Sequence, residues 1–130
     1  MRTILLTLVI SLTISAANVH AMKPNDTEPD YAVFQDLSKE QATRKAQAMA
    51  ESDFAQNVFR VFVAGMRRQQ DAYDNYLKEK YGVVVTSVAG CVVTDGIIGG
   101  IEAYNATMKP LLNRKFGHDI FQEAEEAGRK

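Results

Sequence analysis

Phe54-Ala55-Gln56-Asn57-Val58-Phe59-Arg60-Val61-Phe62-Val63-Ala64-Gly65-Met66 is the most apolar stretch in the chain outside its first residues. Phe54, Val58, Phe62, Met66, Tyr73 and Leu77 keep a helical spacing, and Phe59, Val61 and Val63 widen the stripe. The spacing predicts one long helix over 53–80, apolar nearly all round at its start and therefore the most buried element. Tyr81-Gly82 ends it, with Gly able to take the left-handed cap.

Upstream, Ser38-Lys39-Glu40-Gln41 is a capping-box pattern opening an Ala-rich helix. Its apolar side is thin (Ala42, Ala46, Met49), so it is expected to lie on a larger body. Downstream, Val83-Val84-Val85-Thr86-Ser87 is β-branched and reads as a strand. Cys91-Val92-Val93-Thr94 reads as its partner, making a β-hairpin near 83–94. Thr94 or Asp95 caps a third helix over 95–116, with Ile97, Ile101, Tyr104, Met108 and Leu111/Leu112 on one face and a kink or break at Pro110. Gly117 stops it. Asp119-Ile120-Phe121-Gln122 opens a short last helix with Ile120, Phe121 and Ala124 inward and Glu123, Glu125 and Glu126 toward water. The expected fold is mainly α, about four helices with one small β-hairpin, in a single compact domain over 38–130.

The ends of this region set the expected location. Arg2 precedes the apolar run Ile4–Ile14, too short for a membrane span but matched to the core of a secretory signal. Val19-His20-Ala21 suits a signal peptidase, so 1–21 reads as a signal peptide cleaved after Ala21. Residues 22–37, with Pro24 and Pro29 among polar residues, read as an N-terminal arm. The product is expected in the periplasm or secreted, with no stable membrane insertion.

The chain's formal charge of −1 offers no electrostatic case for nucleic acid. Cys91 is the only cysteine, so no disulfide staples the domain, and its apolar neighbours favour a buried thiol. His118 is the one histidine outside the signal segment, and loop exposure or capping is its expected role. No ligand-spaced cluster is present, so neither a metal nor another cofactor is expected. Asp95 and Glu102 share a helix face but make a weak case for acid–base chemistry. Gly99, Ala103 and Ala106 on the third helix, and Ala64-Gly65, point to a close crossing of the central and third helices.

The functional expectation is an exported, non-enzymatic binding protein that recognises another protein, of inhibitor or immunity type. Arg60, Arg67, Arg68, Tyr73 and Tyr76 are the partner-binding candidates, because Arg and Tyr dominate contact centres. A homodimer is compatible with it. The alternative is a carrier of a small apolar ligand or lipid, in a pocket between helices 53–80 and 95–116 lined by Phe54, Phe62, Met66, Ile101 and Tyr104.

Overall fold

The computed structural model describes residues 33–65 and 71–130. The expected signal peptide 1–21, the expected arm up to Ala32, and Met66, Arg67 and Arg68 lie outside them. Four helices and two strands follow in the order α1 (Lys39–Ala55), β1 (Arg60–Val63), α2 (Asp71–Tyr81), β2 (Val84–Ser87), α3 (Asp95–Phe116) and α4 (Ile120–Gly128).

The expected helix over 53–80 is not one element. Phe54 lies in the last turn of α1, which Gln56 caps, and the left-handed Asn57 (φ 59°) turns the chain away; Asn tolerates that conformation better than most residues. Val61 and Phe62 then lie in an extended strand, both 4% exposed. Successive strand residues point to opposite faces, so β1 is covered on both sides. A run apolar on both faces fits a buried strand as well as a buried helix, and a repeat of four is also two strand periods.

The expected hairpin is replaced as well. β2 pairs with β1, not with 91–94, and the pair is parallel, Val61 opposite Val85 and Phe62 opposite Thr86. A parallel pair cannot be joined by a tight turn and needs a crossover, here carried by α2. Residues 88–94 form an irregular connection. Cys91, expected to be buried in the hairpin, is exposed on it.

The helix starts and stops follow their local signals. Ser38 and Gln41 form the full capping box of α1. Thr94 caps α3 through Ile97, and Gly117 (φ 80°) closes it, its N–H donating to Asn113 O. Asp119 caps α4 through Phe121 and Gln122. α3 runs unbroken through Pro110, between Met108 and Leu112, each 0% exposed; the expected break is absent because packing on both sides holds the helix together.

α1 and α3 form the broadest helix contact. Ala42, Ala46 and Ala50 are each 0% exposed on α1. The glycines of α3 let that layer come close, but the crossing is with α1 and the turn before it, not with a helix at 54–66. A Cβ on Gly96 would stand 2.2 Å from Leu37 O, one on Gly99 2.8 Å from the Lys39 stem, and one on Gly100 2.6 Å from the Phe34 ring. β1 packs on α3 and β2 on α2, while α4 packs mainly on α2. The small sheet thus links the α1–α3 pair, through β1, to the α2–α4 pair, through β2.

Candidate functional site

Two polar clusters and one apolar surface compete for the role of functional site. The first cluster joins α1, β1 and α3. Arg60 donates to Asp53 Oδ2 from Nε (2.9 Å) and from a terminal nitrogen (2.7 Å), and Tyr104 OH donates to the same oxygen at 2.6 Å. Burial works against the Arg60 charge, but the bonds to Asp53 and Tyr104 outweigh it and raise the guanidinium pKa. Burial, then the bond to Asp53, raises the Tyr104 phenol strongly. Phe62 stacks on Tyr104 with centroids 3.9 Å apart. Asn105, one residue on, accepts from Phe62 N–H (2.8 Å) and donates to Phe62 O (2.7 Å), pairing with the β1 backbone as a neighbouring strand would.

The second cluster centres on Glu123, which was expected to face water. Oε1 accepts from Lys80 and from Tyr76 OH. Oε2 accepts from Tyr81 OH at 2.9 Å and lies 2.6 Å from His118 Nε2, while His118 Nδ1 lies 3.1 Å from Phe116 O. Lys80 sits over both tyrosine rings, 5.1 Å from Tyr76 and 5.4 Å from Tyr81. The bonds from Lys80, then Tyr76 and Tyr81, hold the Glu123 carboxyl down at about 2, and the bond to Glu123 raises the Lys80 ammonium. A carboxylate offers about four lone-pair sites; three donors from α2 and the His118 ring of the α3–α4 turn surround them. The carboxylate is spent on these neighbours, so the cluster acts as a clip holding α4 on α2.

The clip has a pH signature. A carboxyl held below its ordinary value of 4.5 favours folding when ionised, so its contribution is complete above that value and disappears as pH falls toward about 2. Wild-type protein is expected to lose stability over that window, and Glu123→Gln to be less stable at neutral pH but flatter below 4.5. Urea midpoints measured from pH 6 to pH 2 check this; equal slopes for the two proteins would refute the clip.

The predicted site residues are therefore dispersed. Arg60 is tied to Asp53, and Tyr76 to Glu123. Tyr73 is part-buried and packs against the core near Gly128. Phe62, Ile101 and Tyr104 belong to the core, with Phe54 packed against it, and the helix 53–80 that would wall the carrier pocket is two helices and a strand. Asp95 and Glu102 are both exposed. No group of three His, Cys, Asp or Glu side chains able to hold a metal occurs among the described residues. Among them, too, no helix is long and apolar enough to cross a membrane.

The apolar surface is the feature that the sequence reading missed. Among the described residues, the large apolar side chains left exposed are Val92 (70%), Val93 (41%) and Ile98 (40%). They lie within seven residues of one another in the chain: Val92 and Val93 stand near the end of the 88–94 connection, and Ile98 follows in the first turn of α3, its N–H donating to Thr94 O. Val92 and Val93 were assigned to a strand, which hid their exposure.

Comparison of the chain with protein-family models, with curated proteins and with solved structures finds no match.

Proposed function

We propose that this chain is an exported protein-recognition domain, of inhibitor or immunity type, that meets its partner through Val92, Val93 and Ile98. The exposure of these three neighbouring side chains carries the reading. Exposing large apolar side chains to water is unfavourable, and three of them within seven residues of chain are more informative than residues scattered singly over the surface. The polar groups that could have served a substrate are spent on one another in the Asp53 and Glu123 clusters, which favours binding over catalysis. The N-terminal run Ile4–Ile14 would direct export, and cleavage after Ala21 would release residues 22–130.

Native mass spectrometry of unreduced protein from the exported fraction of its own host tests both halves. A chain beginning at Met22 and travelling with a second polypeptide is the expected result. A full-length chain would overturn export, and a small-molecule adduct in place of a polypeptide would overturn protein recognition. With the partner in hand, Val92→Ser/Val93→Ser is expected to weaken binding at least about tenfold, as loss of buried apolar anchors does. Its thermal midpoint should stay within about 2 °C of wild type, because exposed positions contribute little to stability. Undiminished affinity in that variant would place the contact elsewhere.

A further inference from the structure

The apolar surface has a charged rim, and the rim's sign selects a partner chemistry. Asp95 and Glu102 are exposed on the same side of α3 as Ile98. Ile98 stands three residues from the first and four from the second, which puts one carboxylate a turn before it and one a turn after. The two carboxylates are about 10.5 Å apart along the helix axis, too far to share a proton. Thr94 Oγ1 donates to Gln35 O at 3.4 Å, and this tie brings the exposed Asp36 to the same end of α3. None of the three carboxylates takes part in an ion pair among the described residues. The stem of Lys39 lies across Gly99, so of the four charged side chains named at this end of α3 three are carboxylates.

Asp95 has a local reason to be where it is, since an acid in the first turn complements the helix dipole. Glu102 lies beyond that turn and Asp36 before the helix, so the dipole does not account for them. A second copy docking face to face would set these carboxylates against their own counterparts, and like-charge juxtaposition is costly at an interface. A basic partner meets both the apolar centre and the rim.

Resting on the protein-recognition reading above, we propose that this surface takes a cationic, apolar segment of another protein. Aliphatic or aromatic anchors of that segment cover Val92, Val93 and Ile98, and its Lys or Arg side chains meet Asp36, Asp95 and Glu102.

Two synthetic helix-forming peptides with the same leucine pattern test the charge selection, one carrying Lys and the other Glu at every polar position. Each is titrated into isotope-labelled exported protein while amide shifts are followed. The Lys peptide is expected to move the amides of 91–102 and to bind about tenfold tighter than the Glu peptide at low salt, the preference shrinking as salt screens the rim. Asp95→Asn/Glu102→Gln should reduce the preference to about threefold or less, and Val92→Ser/Val93→Ser should remove binding of both peptides. The exposed acidic face of α4, Glu125 and Glu126, is an internal control with charge but no exposed large apolar residue.

Shifts confined to α4, equal affinities for the two peptides, or a preference unchanged in Asp95→Asn/Glu102→Gln would each overturn the inference. A preference for the Glu peptide at 91–102 would overturn the charge selection while leaving protein recognition standing. Recognition itself fails only in the native-mass experiment on the exported fraction.

Discussion

Gly96→Ala is expected to destabilise the protein by about 3 kcal/mol, the upper end of overpacking costs. Helix propensity alone argues for the opposite sign, because Ala is favoured over Gly inside a helix by about 1 kcal/mol. Tertiary contact wins because the added methyl would stand 2.2 Å from Leu37 O and 2.6 Å from Phe34 O. Both atoms are backbone, so no side chain can swing away. The turn holding them is itself anchored, since Phe34 is 2% exposed and packs over Gly100. Thermal unfolding followed by circular dichroism should show the midpoint falling by more than about 10 °C. Gly90→Ala is the control: a Cβ there meets nothing within 4 Å, and the expected change is within about 0.5 kcal/mol. A stabilised Gly96→Ala would mean that α3 does not approach the 34–39 turn this closely.

Asn105→Ala should cost about 2–4 kcal/mol. The amide makes bonds of 2.8 and 2.7 Å to the N–H and C=O of Phe62, a residue 4% exposed. Truncation leaves two buried backbone groups without these partners, and each such group costs about 1–3 kcal/mol when water cannot replace the bond. A two-stranded parallel sheet has little stability of its own, so losing this tie should be felt across β1. Urea unfolding measures the loss, and hydrogen exchange at the Phe62 amide locates it. A change below about 0.5 kcal/mol, with the Phe62 amide as protected as before, would show that Asn105 does not hold the strand.

Both effects depend on contacts that sequence spacing does not announce. Gly99, Ala103 and Ala106 signalled a close crossing, but the partner of that crossing was misplaced. Ala42 and Ala46, which lie buried on α1, were legible as its thin apolar side, and Ala50 took the place expected for Met49, whereas the fit of the 34–39 turn against Gly96 is a long-range arrangement. The Glu123 clip was equally hidden. It gathers Tyr76, Lys80 and Tyr81 from α2 with His118 from the α3–α4 turn, over 37 or more residues of chain. None of these residues forms a motif with its sequence neighbours.

By itself, the amino-acid sequence determined the mainly helical character, the starts of α1 and α4 at Ser38 and Asp119 and of α3 at Thr94 or Asp95, the stops at Gly82 and Gly117, and the buried face of α3. These features rest on interactions within one or two turns, where a cap side chain or a glycine meets the backbone it modifies. Only the tertiary structure decided that Arg60–Val63 is a strand, that its partner is Val84–Ser87 in parallel, and that Val92 and Val93 are left at the surface. A strand is completed by hydrogen bonds to another segment, and an apolar run carries no record of which segment that will be. Here the crossover helix α2 and the Phe62–Tyr104–Asn105 contact settled the pairing, and the valines not used in it became the exposed surface.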